Sequence, residues 1–342
     1  PRIDYTGGGC PHILAEPQST NLETKSNDFS TWSLTSNVTP TANYIVSPDG
    51  TQNATRLQFT GNGYIANSTS ISGALRTISC YAKRNDSGTQ SVGFFVDGSG
   101  TVNSTWSLTS DWKRFTYTYT TSNSSFIGIA GLSGADISVF GFQLEQQSYP
   151  TSYIPTSGST VTRNQDIFTR DGIGSLINGT EGVFFVEIAP LANDLTNRHI
   201  GISDNTNANR LQIYFTINAT THINTFGIVN NVNYFDMVSN VTLVNGYVKV
   251  AVKWKVDDFA LWINGVEVVT DNSGLVWSSG VLNTLKFSDG NSTSPFFGKL
   301  KQLQVYDTSL TDNQLIQLTG EAGTHFFESY AEMAEALTYT IQ

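Results

Sequence analysis

Apolar and polar positions alternate with a period of two through most of this chain. The clearest stretch runs from Lys253-Trp-Lys-Val-Asp-Asp-Phe-Ala-Leu-Trp-Ile-Asn264 into Gly265 and then Val-Glu-Val-Val269. Val256, Phe259, Leu261 and Ile263 stand among polar neighbours. Asn264-Gly265 supplies two residues that tolerate positive φ, which predicts a type I′ hairpin turn with a return strand through Val266, Val268 and Val269. The same alternation recurs in Trp112-Lys-Arg-Phe-Thr-Tyr-Thr-Tyr119, a half-buried strand. Shorter apolar runs read as inner strands: Ile78–Ala82, Val92–Val96, Ile137–Leu144, Val183–Ile188, Leu211–Phe215, Tyr247–Trp254 and Gly298–Tyr306.

Turn signals such as Ser47-Pro-Asp-Gly50 punctuate these runs about every ten residues. Helical spacing is scarce. Leu310 to Leu318 carries it, with Thr311 or Asp312 as cap and Leu315, Ile316 and Leu318 on one face. A second short helix is predicted at 329–337, and Tyr339 to Gln342 closes the chain as a strand or tail. The fold class is therefore all-β: two antiparallel β-sandwich (jelly-roll) domains in tandem, with short C-terminal helices.

The domain divisions follow from composition. Residues 1–22, with Gly7-Gly-Gly9 and prolines at 1, 11 and 17, form an extended lead-in that must lie against something. Residues 23–147 make the first sandwich. Residues 148–165, Pro/Ser/Thr-rich with two tyrosines, suit an extended linker resting on a surface. Residues 166–320 make the second sandwich, and 321–342 a helical tail. The chain opens at Pro1 without a secretory leader pattern, which reads as a processed product or a piece of something longer.

Composition narrows the function. Charged residues are only 13% and aromatic residues 12%, and the formal net charge is −10. No basic stripe exists to neutralise phosphates, so nucleic acid is not expected as a partner. No apolar run reaches the length of a spanning helix, so membrane insertion is not expected either. Cys10 and Cys80 are too few for a disulfide framework; two ordinary thiols are preferred over a Cys10–Cys80 bridge.

Two groups of landmarks resemble known families. Pro1-Arg-Ile-Asp-Tyr5, Gly7–Pro11, Glu16-Pro-Gln18 and Thr20-Asn-Leu22 resemble a recurrent stretch of bacteriophage tail-fibre and appendage proteins. Asn27-Asp-Phe-Ser-Thr-Trp32, Pro48-Asp-Gly50, Trp112-Lys-Arg-Phe115, Gln143-Leu-Glu145 and Thr151-Ser-Tyr-Ile-Pro155 continue the likeness, toward a carbohydrate-binding-module-like jelly roll of the galactose-binding type. Residues 182–320 resemble the concanavalin A-like, laminin-G-like lectin/glucanase sandwich through Trp262-Ile-Asn-Gly265, Phe297-Gly-Lys-Leu-Lys301 and Leu310-Thr-Asp-Asn-Gln-Leu315. The resemblance implies a virion-surface, extracellular setting, contact with other virion subunits and a homotrimer.

Candidate chemistry is sparse. Catalytic members of the glucanase branch carry Glu-X-Asp-X-X-Glu on one strand, placing two carboxyls in the cleft. That motif is missing: Glu145, Glu187 and Glu267 are isolated, and Asp257-Asp258 face opposite sides of a strand or sit in a turn. His12, His199, His222 and His325 show no metal-ligand spacing. The chain is expected to be a non-enzyme needing no cofactor. Structural calcium was weighed at Asp204, Asn205 and Asn207 and at Asp289 and Asn291, against the preferred reading of hydrogen-bonded turns. For sugar stacking, Trp32, Trp112, Trp254 and Trp262 are expected in the cores. Trp106, Trp277 and Tyr64, in polar loop-like surroundings, are the candidate glycan-binding rings. The expected function is host-surface attachment through glycans, with a purely architectural decoration protein and a polysaccharide depolymerase as the alternatives.

Overall fold

The computed structural model describes residues 2–4, 11–88, 91–96, 102–120, 123–192, 196–215, 222–242 and 246–321. Their strands pair antiparallel throughout, and a single α-helix is found among them. The all-β sandwich reading holds. The chain divides into two compact units, Pro17–Gln165 and a second unit made of Pro1–Glu16 together with Asp166–Gln342.

Strands β1 (Arg2–Asp4) and β2 (His12–Ala15) pair with one another and belong to the second unit. The expectation of a separate lead-in over 1–22 is thus corrected. Ile13 and Ala15 pack on the second unit's core, where Ala15 is fully buried. The prolines and glycines flank these short strands and do not interrupt them.

The N-terminal unit follows: β3 (Ser19–Asn21), β4 (Leu34–Ile45), β5 (Ala54–Ser72), β6 (Leu75–Arg84), β7 (Val92–Val96), β8 (Ser104–Thr105), β9 (Lys113–Thr120), β10 (Asn123–Gly131), β11 (Asp136–Glu145) and β12 (Val161–Arg163). The order across the main sheet is β8-β7-β10-β5-β11-β6-β9, with β4 also on β5. The long β5 pairs with β11 through its first residues and with β10 through its last. Phe29, Trp32, Leu57, Ile78, Phe94, Trp106, Ile127, Ile137 and Phe142 fill the core.

Residues 148–165 are part of this unit, which corrects their reading as a linker. Asn21 Nδ2 donates to the Ile154 carbonyl at 2.8 Å, and Ile154 N donates to Gln143 Oε1 at 2.6 Å. Thr156 Oγ1 donates to the Glu23 carbonyl at 2.6 Å, and the Tyr153 and Ser26 hydroxyls lie 2.6 Å apart. β12 then pairs with β3. A segment rich in Ser, Thr and Tyr carries enough donors and acceptors to be tied down along its length.

The C-terminal unit continues with β13 (Thr169–Arg170), β14 (Glu181–Pro190), β15 (Arg198–Ser203), β16 (Arg210–Phe215), β17 (His222–Val229), β18 (Val232–Thr242), β19 (Val248–Lys255), β20 (Phe259–Ile263), β21 (Val266–Asp271), β22 (Thr284–Lys286) and β23 (Gly298–Tyr306). Seven strands form one sheet, β1-β2-β23-β14-β19-β20-β21, and six form the other, β13-β22-β15-β16-β17-β18. Between them lie Phe184, Val186, Ile200, Ile213, Val250, Trp254, Phe259 and Trp277. The Asn264-Gly265 turn has φ of 49° and 85°, as the sequence predicts.

Helix α1 (Asp312–Thr319) opens on the predicted capping box, in which the Thr311 hydroxyl accepts from Gln314 N and the Gln314 side chain accepts from Thr311 N. Its Leu315 packs on Val183, Phe185, Ala251, Ala260 and Trp262 on the outside of the seven-stranded sheet. The predicted helix at 329–337, the tail after it and Cys10 lie outside the described residues. Cys80 is a buried free thiol whose pKa is pushed up by burial.

Candidate functional site

The structure relocates the predicted aromatic candidates. Trp106 is 3% exposed: its backbone continues along β7, and its ring stacks on Phe115 at 5.0 Å and meets Phe94 edge-on at 4.8 Å. Trp277 is 1% exposed, with its indole N–H donating to the Ile228 carbonyl at 2.7 Å. Both sit among polar sequence neighbours that face outward while the ring turns into the core. As glycan-stacking residues they are corrected, because a ring with no free face has nothing to offer a sugar. Trp112, expected in the core, is half-buried and donates to the Val46 carbonyl at 3.2 Å. Tyr64 is half-buried on the outer face of β5, where it packs with Phe95, Phe126 and Val102. It keeps a partly free ring.

The calcium candidates lie on two loops that meet, since Asn291 N donates to Asn207 Oδ1 at 3.2 Å. Their carboxylates are already occupied. Asp204 accepts from Thr206 N at 2.9 Å, from the Thr206 hydroxyl at 2.5 Å and from Asn209 Nδ2 at 2.9 Å. Burial pulls its pKa up, but these hydrogen bonds together outweigh it and hold the group below the usual range. Asp289 accepts from the backbone N–H and hydroxyl of Thr293. The Lys286 ammonium, itself buried, donates to the Gly290 carbonyl and the Ser292 hydroxyl, each at 2.9 Å. Asn205 takes positive φ, as a turn residue does. Hydrogen-bonded turns engage the carboxylates of these loops, and the described residues group no three His, Cys, Asp or Glu side chains.

The chemistry collects instead on the outer face of the six-stranded sheet. Along β15, Ile200 and Ile202 enter the core, so His199, Gly201 and Ser203 face out. Along β16, Leu211, Ile213 and Phe215 enter, so Arg210, Gln212 and Tyr214 face out; Asn224, Phe226 and Ile228 do the same on β17. Register then builds a grid. Lys286, Gly201, Gln212, Phe226 and Asp236 form one row across the strands, and His199, Tyr214, Asn224 and Val238 the next.

Within the grid the rings form a platform. His199 stacks on Tyr214 at 5.2 Å with 16° between planes; Phe226 stands edge-on to Tyr214 at 5.3 Å and to His199 at 6.1 Å. The Arg210 guanidinium lies over Phe226 at 4.9 Å. Gly201 makes room for the amide beside them: a Cβ there would sit 2.5 Å from Gln212 Nε2.

Several polar atoms on this face have no internal partner. Gln212 is 0% exposed, yet neither end of its amide meets a hydrogen-bond partner; the same is true of His199 Nδ1 and Arg210 Nε. The Gln212 amide lies near enough to His199 to favour the imidazolium, though outside hydrogen-bond geometry. Burial, aided by the Arg210 cation and opposed by Asp289, lowers the His199 pKa to about 4, so the ring is neutral near pH 7. Burial also raises Tyr214 and Asp236, whose side chains hydrogen-bond each other. Buried polar atoms without partners also occur in the N-terminal unit, at Arg76, Arg84 and Arg114; those on this face are set apart by the rings beside them.

Concavities elsewhere are less equipped. In the C-terminal unit an apolar groove of about 400 Å³ runs between Ile13, Phe168, Leu285, Phe287 and Leu300. In the N-terminal unit a polar cleft of about 770 Å³ lies between Lys25, Asp28 and the strap at Pro155–Ser159.

Sequence reasoning missed the grid because it sought aromatic rings in loops. The signal was present in the strands: outward positions filled by His, Arg, Gln, Tyr and Phe where a solvated face would carry Ser and Thr.

No family model and no curated protein matches the chain. Among solved structures, the CBM40 module of the Ruminococcus gnavus IT-sialidase is similar at 16% identity and TM-score 0.36, over 45% of this chain and 99% of that one. A SAP-like pentraxin from Limulus polyphemus is similar at 19% identity and TM-score 0.35, over 43% and 72%. Domains LG4-5 of the mouse laminin alpha1 chain are similar at 9% identity and TM-score 0.25, over 87% and 91%. The sandwich class itself rests on the sheets described above.

Proposed function

We propose that this chain is a non-catalytic glycan-binding protein of a surface appendage, a tail-fibre or spike component of a virion, that attaches to host-surface sugars. One observation carries the reading: on the outer face of the six-stranded sheet, the half-buried rings of His199, Tyr214 and Phe226 form a platform beside the Arg210 guanidinium. Pyranose rings present apolar C–H faces to aromatic surfaces and hydroxyls to polar donors, so this pairing of groups suits them. The two carboxylates at the face are engaged, Asp236 by Tyr214 and Asp289 by Thr293, which favours recognition over bond breaking.

The appendage setting is supported by the sequence resemblance to phage fibres. Many copies convert weak single-site binding into avid attachment. A homotrimer contacting other virion subunits belongs to the same proposal, and light scattering on the purified chain tests it by mass.

The decisive experiment is a glycan array read with wild type, Tyr214→Ala and Phe226→Ala. Binding that falls roughly tenfold or more in both variants, with unchanged melting, is the expected result. A blank array with wild type would overturn the reading in favour of an architectural role. Reducing-end release from a bound polysaccharide would overturn the non-catalytic part.

A further inference from the structure

We infer that the sugars recognised by this face carry a carboxylate, and that Arg210 is the residue that receives it. The inference rests on the glycan-binding reading above and adds the chemical class of the ligand.

The geometry of Arg210 carries it. The side chain leaves β16 beside Gln212, opposite Ile228 in the register, and its guanidinium carbon lies over the Phe226 ring, 4.9 Å from its centre. Stacking occupies the face of a guanidinium and leaves its edge, where the N–H donors lie in one plane. A planar carboxylate meets such an edge with two parallel hydrogen bonds, which a hydroxyl cannot do.

Arg210 lacks the carboxylate partner that Arg56 and Arg2 have. Arg56 is paired with Asp136, and Arg2 with Glu16 and Asp166. No described carboxylate lies within ion-pair distance of Arg210, and its Nε is buried without a partner. The nearest acid, Asp289, attracts it from a distance, but its own oxygens are held by Thr293. Asp236, across Phe226 in the same row, is engaged by Tyr214. A partly desolvated cation without a counter-ion is a standing demand for an anion.

The neighbours suit an acidic sugar better than a free anion. Tyr214 and Phe226, both half-buried, offer apolar surface beside the guanidinium. A site for inorganic anions would need none of these.

The test uses the full chain and three matched oligosaccharides: one with hexuronate residues, its carboxyl-reduced neutral counterpart, and a neutral backbone carrying sulfate. Titration calorimetry should show the uronate form binding roughly ten- to a hundredfold more tightly than the reduced form. Arg210→Gln should abolish that preference while leaving the melting temperature unchanged. Arg210→Lys, which keeps the charge but loses the planar fork, should recover only part of it. Equal binding of uronate and reduced sugars would overturn the carboxylate assignment and leave glycan binding standing. Sulfated sugar binding as well as the uronate would also overturn it, in favour of a general anion preference. No binding of any of the three would overturn both readings.

Discussion

The two units of this chain are both antiparallel sandwiches, yet they close in opposite ways. The N-terminal unit is one continuous stretch, 17–165, and finishes itself with the strap at 148–165. The C-terminal unit is split: it takes β1 and β2 from residues before Glu16 and the rest from Asp166 onward. The chain leaves at Glu16 and returns at Asp166, where Asp166 N donates to the Glu16 carbonyl at 2.9 Å and Arg2 pairs with both acids. The self-contained unit hydrogen-bonds its strap to Asn21, Ser26 and Gln143. The split unit leaves Gln212, His199 and Arg210 with unmet polar atoms on one face. Both units keep buried polar atoms unmet, Arg76 and Glu23 among them in one and Gln212 and Arg210 in the other, so the difference between the units lies in closure by a local strap as against closure by distant strands.

The largest expected effect comes from removing residues 1–16. The deletion takes away the pairing of β2 with β23, the buried Ala15, the Arg2 ion pairs and the Asp4–Lys299 pair. We expect a loss on the order of 5 kcal/mol, enough to erase the C-terminal unit's unfolding transition. Residues 17–165 alone should unfold cooperatively. Calorimetry of the full chain, of 17–342 and of 17–165 checks both halves. A cooperative C-terminal transition in 17–342 would break the contrast.

Next come the two tryptophans that the sequence places at the surface. Trp106→Ala and Trp277→Ala should each cost roughly 3–5 kcal/mol, one in each unit, as core truncations do. The conservative changes separate them. Trp277→Phe leaves the Ile228 carbonyl unpaired, whereas the Trp106 indole N–H has no partner to lose. Trp277→Phe should therefore cost about 1 kcal/mol more than Trp106→Phe, read as the difference in denaturant midpoints.

Acidification should then pull the units apart. In the N-terminal unit Glu23 is 1% exposed; burial raises its pKa against the hydrogen bonds from Lys25 N and Asn67, and its Oε2 has no partner. A raised carboxyl favours the protonated fold. Its contribution is full below the unfolded value near 4.5 and is lost as pH rises through the folded value. In the C-terminal unit His199 is lowered to about 4 from 6.5, so its contribution is present above 6.5 and lost as pH falls through about 4. Melting curves between pH 7 and 4 should show the C-terminal transition falling relative to the N-terminal one. Glu23→Gln should raise the N-terminal melting temperature at pH 7 and remove its share of the trend. Parallel movement of both transitions would break the contrast.

How much of this was legible beforehand depended on whether a signal was local. The Asn264-Gly265 turn, the Thr311 cap and the alternation in β9 are written in adjacent residues, and all three stand as read. The allegiance of Ile13 and Ala15 is decided by Leu300 and Gly298, nearly three hundred positions away, which no periodicity reveals. The buried rings of Trp106 and Trp277 show the same gap, since loop-like composition records the neighbours and says nothing of where one large side chain turns. The aromatic grid of the six-stranded sheet falls between these cases. Arg210, Gln212 and Tyr214 stand on a strand that was read correctly, but their convergence with His199 and Phe226 is a matter of register between strands.

The smallest expected effect tests whether the units unfold independently. The β17–β18 turn places Asn230 and Asn231 at φ of 51° and 67°, a left-handed pair that asparagine tolerates and most residues do not. Both backbone amides are held by the 208–209 segment, Asn230 N on Asn209 Oδ1 and Asn231 N on the Ala208 carbonyl, each at 2.8 Å, so the turn cannot relax to escape strain. Asn231→Ala should cost about 1 kcal/mol through the backbone alone. Asn231→Gly should be close to neutral, because glycine adopts the same φ freely. Both changes should move the C-terminal transition and leave the N-terminal one where it is. If the N-terminal transition moved with it, the sandwiches would unfold as one body, and the difference in their closure would have no energetic meaning.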